Sequence, residues 1–173
     1  MIIESVPERP DIKRVVYAEI ETSAASDAII TSSTSGIMPS ELQAEMAHPE
    51  RLMVAHPFNP VYLLPLVELV AGNQTDAKYI EWGKTFFADI GMHPLHCRVE
   101  IAGFLSDRLQ EALWREALWL LHDKVATADE IDAAQAALAR IRVLDAGVAP
   151  SNAAASRIAD DTRLAVRPAA PRT

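Results

Sequence analysis

The chain has 173 residues with 24 acidic and 16 basic side chains, which gives a formal net charge of −8 at pH 7. Half of its residues are hydrophobic and 23% are charged, a composition typical of a globular domain with a buried apolar core. The acidic balance disfavours binding to nucleic acid, which requires a basic surface. The longest apolar stretch, residues 61–67, is too short to span a bilayer.

The first residues of the chain and its single cysteine disfavour a secreted protein and a protein built on disulfides or zinc. Glu4, Glu8 and Arg9 interrupt the first apolar residues, so the N-terminus does not have the pattern of a signal peptide. Cys97 alone cannot form an intramolecular disulfide or a cysteine-rich zinc site. We therefore expect a cytoplasmic protein that has no metal centre, no nucleic-acid partner and no membrane segment.

The first part of the chain, residues 1–98, alternates short apolar runs with helical patterns. The predicted strands cover residues 1–6, 27–32, 52–56, 66–70 and 94–99, and the predicted helices cover residues 11–25, 39–47 and 75–90. Gly91 suits the end of the third helix, and Pro57 and Pro60 limit the third strand. Strands that alternate with helices predict an α/β fold with a largely parallel sheet.

The pattern changes after this point. Residues 99–140 are predicted to be helical, with a long helix over residues 101–124 and a second helix that starts at Thr127, where Glu130 completes a capping box. No aromatic residue follows Trp119, and from residue 141 onward Ala, Arg, Pro, Ser and Asp dominate without clear periodicity. We expect residues 141–173 to be an atypical tail that is disordered or loosely helical.

A histidine and a glutamate stand out in two of the predicted strands. His56 closes the run LMVAH, and ligands of open α/β sheets bind at the carboxyl ends of strands, where a histidine can act as a general base. Glu68 lies inside LVELV, and a buried carboxylate there requires a partner. The imidazole of His56 is a suitable one, and the pair would fix the tautomer of the ring. Alternatively, Glu68 faces solvent and His56 caps a turn.

A hydroxyl-rich turn and the absence of phosphate-binding motifs are two further features of the sequence. The hydroxyl-rich turn TSSTSG, residues 31–36, follows a strand directly, and it either offers hydroxyls to a substrate or phosphate or only connects a strand to a helix. The sequence contains neither GxGxxG nor a P-loop, so no usual pyrophosphate cradle is present in it. Composition and spacing therefore predict an α/β, enzyme-like chain with a His/Glu pair.

Four segments of the chain have a distinctive sequence: IIESVPERPDIK, SSTSG, VAHPFNPVYLLPLVELV and AGFLSDRLQEALWREAL. Together they resemble the 3-hydroxyacyl-CoA dehydrogenase family, and most closely its L-carnitine dehydrogenase branch. The resemblance covers residues 1–135, with the segments in family order. It implies the C-terminal part of a Rossmann-type NAD-binding domain followed by an incomplete all-helical domain. The implied reaction is the oxidation of a 3-hydroxy substrate, a small molecule, to the 3-keto product with NAD as the cofactor.

The resemblance also implies catalytic roles for three residues. His56 would be the general base that takes the proton of the substrate hydroxyl, while hydride passes to the nicotinamide. Glu68 would hold and polarise His56. Ser35 would bond the reacting hydroxyl, and it would lie beside both substrate and cofactor.

Cofactor contacts on the nicotinamide side are implied for three more residues. Glu8 and Lys13 match the acidic and basic residues that contact the cofactor in the family. Asn59 matches the family asparagine that helps to place the nicotinamide. Each assignment carries a family role to the matching position of this sequence.

The chain departs from the family pattern at two positions. Ser33 stands where asparagine is common, and Asp107 replaces the asparagine of the GFxxN segment. An anion at position 107 suits a cationic substrate such as carnitine better than an acyl-CoA thioester. The trimethylammonium group of carnitine favours aromatic faces. The available aromatic residues are Tyr62, Phe104, Trp114 and Trp119, and we expect each tryptophan to pack in the core instead.

The ends of the chain also differ from the family. The resemblance places Met1 in a middle strand of the nucleotide domain, so we expect the first strands and the GxGxxG turn to be missing from residues 1–98. Near residues 133–140 the similarity ends, which suggests a change of reading frame or a mispredicted gene end. Three hypotheses stay open: an L-carnitine dehydrogenase, a 3-hydroxyacyl-CoA dehydrogenase of fatty acid oxidation, and an inactive fragment of such an enzyme. The complete enzyme is expected to be a homodimer formed through residues 99–140.

Overall fold

The structure, a computed structural model, describes residues 1–138. Its strands are β1 (Ile2–Glu4), β2 (Ile30–Ser32), β3 (Leu52–Pro57), β4 (Leu66–Ala71) and β5 (His93–Cys97). Its helices are α1 (Pro10–Ser23), α2 (Pro39–Gln43), α3 (Ala77–Asp89), α4 (Ser106–His122) and α5 (Ala128–Leu138), with a short 3₁₀ turn at Pro49–Arg51. These elements correspond one to one with the predicted strands and helices.

The five strands form one sheet in the order β1-β2-β3-β4-β5. Neighbouring strands are parallel except for β3 and β4, which run antiparallel. The predicted α/β fold with a largely parallel sheet is therefore confirmed. The antiparallel pair was not predicted, and its cause is the connection: residues 58–65 are too few for the crossover that parallel strands require.

Apolar side chains cover both faces of the sheet, as is usual where helices pack on each side. On one face, Leu52, Val54 and Val70 belong to a buried cluster with Tyr17 of α1 and Leu42 of α2. The other face carries a second cluster, formed by Ala55, Val67, Leu69 and Phe87. Strands β3 and β4 are thereby fixed between two apolar layers. The backbone that carries His56 and Glu68 is held in place by this packing.

Local signals explain where two of the helices begin and end. The side chain of Asp76 accepts a hydrogen bond from the Lys78 amide at the start of α3 (3.0 Å), and Gly91, with φ +86°, follows the end of that helix. Before α5, Glu130 accepts a hydrogen bond from the Thr127 amide (2.8 Å), while its own amide donates to the Thr127 hydroxyl (3.3 Å). The predicted capping box is therefore confirmed.

Helix α4 starts five positions later than predicted because the preceding backbone is not helical. Gly103 and Phe104 have positive φ values of +73° and +46°, in the left-handed region. The chain makes a turn here and enters α4 only at Ser106. Helix α2 is also shorter than predicted and ends at Gln43.

The expectation for the two tryptophans of α4 is wrong. Trp114 is 64% exposed and Trp119 is 52% exposed, and in the described part of the chain no α4 side chain is buried. Apolar residues spaced along a helix predict an apolar face, but they do not reveal whether the chain itself supplies a partner for that face.

The described residues divide into two units, with the boundary after Leu118 in α4. The predicted domain limits at residues 98 and 140 stay predictions, since α4 continues across the boundary between the two units. The expected tail over residues 141–173 and most of the suspected frame change lie outside the described residues. Within residues 1–138, none of the helices combines the length and the apolar character needed to cross a bilayer.

Candidate active site

The candidate site residues follow the carboxyl ends of three parallel strands. Because β1, β2 and β3 are parallel, their carboxyl ends lie at one edge of the sheet. The antiparallel strand β4 begins at this same edge, so its first residues are also found there. Glu8, Ser35 and Asn59 lie on the segments that leave β1, β2 and β3.

His56 and Glu68 form a buried pair between β3 and β4. They are direct cross-strand partners, and Nδ1 of His56 lies 2.9 Å from Oε2 of Glu68. Both are buried, and the Glu68 side chain is fully excluded from solvent. The predicted contact is therefore present, and the alternative that Glu68 faces solvent is wrong. A carboxylate can only accept here, so Nδ1 donates its proton, and Nε2 is the ring nitrogen left for chemistry.

The second oxygen of Glu68 is held by the first turn of α4. Oε1 accepts hydrogen bonds from the amides of Leu105 (3.0 Å) and Ser106 (2.8 Å). Backbone amides at a helix N-terminus are unused by the helix and carry partial positive charge, so they stabilise an anion. The buried carboxylate thus has a partner on each oxygen, which fixes the orientation of the His56 ring.

Two phenylalanines enclose the imidazole. The ring centroids of Phe58 and Phe104 lie 6.2 Å and 5.6 Å from that of His56. Phe104 is completely buried, and its side chain belongs to the apolar core cluster. Sequence reasoning missed Phe58, although it lies in the HPFNP segment next to the histidine.

Glu8 organises the hydroxyl-rich turn after β2. Its Oε1 accepts hydrogen bonds from the amides of Ser35 (3.1 Å) and Gly36 (3.2 Å) and from the Thr34 hydroxyl. Burial raises the pKa of Glu8, but the bonds from Thr34 and Gly36 and the charge of Lys13 outweigh it, so the pKa lies below the ordinary value of 4.5. The turn presents the Ser35 side chain to solvent.

Lys13 has a different setting from that implied by the resemblance. Its side chain is 1% exposed, and its ammonium lies 2.8 Å from Glu4 and 3.5 Å from Glu8. Both contacts are within the protein, so Lys13 affects the site by pairing with Glu8. A direct contact between Lys13 and a cofactor stays a prediction.

Asn59 and Asp107 do not hydrogen-bond to the His56–Glu68 pair. Asn59 is exposed in the loop that follows β3, and Asp107 is half-buried in the first turn of α4, next to Ser106. Tyr62, in the same loop as Asn59, is 87% exposed. The roles assigned to these residues stay predictions.

The exposed groups at this edge fit the nicotinamide half of a dinucleotide. The Glu8 carboxylate is about half exposed, and the hydroxyl of Ser35 and the amide of Asn59 are exposed, so acceptors and donors are available for a carboxamide and a ribose. Residues 1–138 contain no glycine-rich turn for a pyrophosphate, in line with the sequence. Donors and acceptors are therefore available for the nicotinamide half of NAD, and the contacts assigned to Glu8, Ser35 and Asn59 stay predictions.

Comparisons with known proteins agree with this geometry. The profile of the 3-hydroxyacyl-CoA dehydrogenase NAD binding domain matches residues 1–101, and that of the C-terminal domain matches residues 103–143. The L-carnitine dehydrogenase of Pseudomonas putida is 58% identical over 131 residues, which are 76% of this chain and 41% of that protein. The L-carnitine dehydrogenase of Staphylococcus epidermidis is 52% identical over 146 residues, 84% of this chain and 46% of that protein. The chain thus spans less than half the length of these relatives.

Solved structures give the same answer. The 5-formyl-3-hydroxy-2-methylpyridine 4-carboxylic acid 5-dehydrogenase, an NAD⁺-dependent dismutase, matches with a TM-score of 0.72 and 34% identity, over 76% of this chain and 42% of that chain. The 3-hydroxybutyryl-CoA dehydrogenase of Escherichia coli matches with a TM-score of 0.68 and 31% identity, over 72% of this chain and 26% of that chain. Sequence profiles, relatives and fold agree, and the chain belongs to the 3-hydroxyacyl-CoA dehydrogenase family.

Proposed function

We propose that the complete protein oxidises L-carnitine to 3-dehydrocarnitine with NAD. The observation that carries the proposal is the buried His56–Glu68 pair, whose carboxylate is held on one oxygen by the ring and on the other by the first turn of α4. Such a pair keeps the proton on Nδ1 and leaves Nε2 as an oriented base. The relatives named L-carnitine dehydrogenase, at 52–58% identity, support the substrate.

The chemistry divides between this chain and the cofactor. Nε2 of His56 takes the proton of the substrate 3-hydroxyl, and Glu68 stabilises the imidazolium that forms. NAD, when bound, supplies the acceptor for the hydride that leaves the same carbon. The products are therefore the 3-keto compound, the reduced cofactor and a proton on His56, which later passes to solvent.

The residues at the sheet edge would position the reactants. Ser35 would hydrogen-bond the reacting hydroxyl, and Glu8 would contact the nicotinamide ribose while it holds the turn. Asn59 would orient the nicotinamide. Lys13 would act from behind Glu8, in keeping with its burial.

The test is kinetic and requires a protein of full family length that carries this sequence. His56→Ala should lower kcat with L-carnitine and NAD by about 10²–10⁴-fold, the usual contribution of a general base. His48→Ala is the control, because His48 is exposed outside this site. Full activity of the His56 variant would contradict the assignment.

A second candidate substrate is a 3-hydroxyacyl-CoA, which is favoured by the similarity to the 3-hydroxybutyryl-CoA dehydrogenase structure. Asp107 distinguishes the two candidates, since a negative charge in the first turn of α4 attracts a cationic substrate and repels a CoA phosphate. The ratio of kcat/KM for L-carnitine to that for 3-hydroxybutyryl-CoA should exceed one and fall in Asp107→Asn. The reverse preference would support the thioester.

We also propose that the complete protein is a cytoplasmic homodimer. The exposed apolar side chains along α4 support an interface there, among them Leu109, Leu113 and Leu118. Sedimentation of the full-length protein tests the dimer.

The 173-residue chain by itself should show no NAD binding by calorimetry, because the sequence contains no pyrophosphate cradle.

A further inference from the structure

Glu4 is a fully buried carboxylate at the end of β1, outside the residues that the proposed reaction uses. Its side chain is completely excluded from solvent. An isolated charge in such a place would be strongly unfavourable, and a charged side chain is retained there only with close partners. The surroundings of Glu4 therefore indicate what the charge does.

Four groups saturate the Glu4 carboxylate. Oε1 accepts hydrogen bonds from the Lys13 ammonium and the Val6 amide, both at 2.8 Å. Oε2 accepts from the Tyr17 hydroxyl at 2.6 Å and the Ser32 hydroxyl at 2.7 Å. Burial raises the pKa of Glu4, but the bonds from Lys13, Tyr17 and Ser32 outweigh it, and the pKa lies below the ordinary value of 4.5.

Two routes lead from Glu4 to the turn that carries Ser35. In the first, Lys13 bridges the carboxylates of Glu4 and Glu8, and Glu8 accepts the amides of Ser35 and Gly36. In the second, the hydroxyl of Ser32 donates to Glu4 and accepts the amide of Thr34 at 3.3 Å, so the turn is tied to β2 as well.

We propose that Glu4 is a positioning residue that fixes Glu8 and the turn of residues 34–36 against the sheet edge. Its charge divides the Lys13 cation between two carboxylates, so Lys13 does not draw Glu8 away from the turn amides. The relevance to hydride transfer rests on the proposed function, but the positioning itself is a property of this chain and can be measured without any reaction.

The test uses amide hydrogen exchange of the 173-residue chain, followed by NMR. Glu4→Gln keeps an acceptor for Tyr17 or Ser32 and removes the charge, so Glu8 becomes the only carboxylate beside Lys13. Exchange of the Ser35 and Gly36 amides should accelerate about tenfold, the effect of losing a charge-assisted hydrogen bond, while core amides keep their rates. Val54 and Val70 provide the core reference.

Two further variants keep the test decisive if Glu4→Gln does not fold. Ser32→Ala removes only the second route, so the Thr34 amide should exchange faster. Tyr17→Phe removes a Glu4 donor that has no contact with the turn, so the turn amides should be unaffected. Unchanged exchange of the Ser35 and Gly36 amides in Glu4→Gln, or an equal acceleration in turn and core, would overturn the proposal. In Ser32→Ala the informative amides are again those of Ser35 and Gly36, since the Thr34 amide loses its acceptor directly.

A functional readout then connects this result to the reaction. In the full-length protein, Glu4→Gln should raise KM for NAD by about tenfold or more with a smaller change in kcat, since the positioned residues hold the cofactor and His56 remains intact. Loss of kcat in His56→Ala is independent of this effect. The two hypotheses can therefore fail separately.

Discussion

Replacing Glu68 by glutamine tests whether the carboxylate sets the tautomer of His56. The side chain keeps its shape, but one of its two acceptor oxygens becomes an NH₂ group. The two amides of Leu105 and Ser106 require an acceptor, so the glutamine oxygen turns toward α4 and the NH₂ group toward the ring. Nδ1 must then accept, which moves the proton of the neutral ring to Nε2.

The size of the effect follows from these contacts. Two amide bonds to a charged acceptor become bonds to a neutral one, which lowers the free energy of unfolding by about 1–3 kcal/mol. A ring protonated on Nε2 cannot take a proton from a substrate, so kcat should fall by about 10²–10⁴-fold in a full-length protein.

The tautomer can be observed directly in the 173-residue chain by NMR with ¹⁵N-labelled histidine. The His56→Ala variant identifies the signal, since the chain contains five histidines. Wild-type protein should carry the proton on Nδ1 and Glu68→Gln on Nε2. Glu111→Gln is the control, an exposed glutamate later in α4. A Glu68→Gln variant with the proton still on Nδ1 and undiminished stability would refute the reasoning.

Three further predictions concern pH, packing and reactivity. Folding lowers the pKa values of Glu4 and Glu8, so their contribution to stability is complete above about pH 4.5 and is lost as the pH falls through the lowered values. Urea unfolding at several pH values measures this loss. Phe104→Ala should lower the free energy of unfolding by about 3–5 kcal/mol in a urea titration, because it empties a fully buried site, and a smaller loss would show that Phe104 is not core. Burial raises the pKa of Cys97 to about 11, so a thiol reagent at pH 8 should modify the unfolded chain but not the folded one.

The strands and helices could be predicted because each depends on local pattern, whereas the His56–Glu68 contact was one of two alternatives that the residues left open. An acidic residue within LVELV has few ways to be satisfied, and the resemblance to the family pointed to the same partner. The antiparallel course of β4 did not follow from alternation alone, since a buried strand has the same apolar run in either direction.

Other features depend on contacts that a sequence does not encode locally. The positive φ of Phe104 is uncommon for a residue with a side chain, and nothing in AGFLSD marks it except the preceding glycine. Lys13 lies on the same face of α1 as the buried Tyr17, but a lysine on such a face is expected to reach solvent with its charge. Its complete burial is possible because the segment before α1 contributes two carboxylates. The support of Glu68 by α4 required knowledge of where that helix begins.

The antiparallel hairpin of β3 and β4 brings together two reactive side chains that are only twelve positions apart in the chain. Closing so short a loop costs little entropy, so this contact belongs to the class that forms early and rapidly in folding. The contact between His56 and Glu68 is consequently local, whereas the support of Glu68 by α4 and the residues on β1, β2 and their loops assemble only through long-range contacts. Substitutions that weaken the pairing of β1 with β2 should therefore impair the cofactor contacts before they disturb His56.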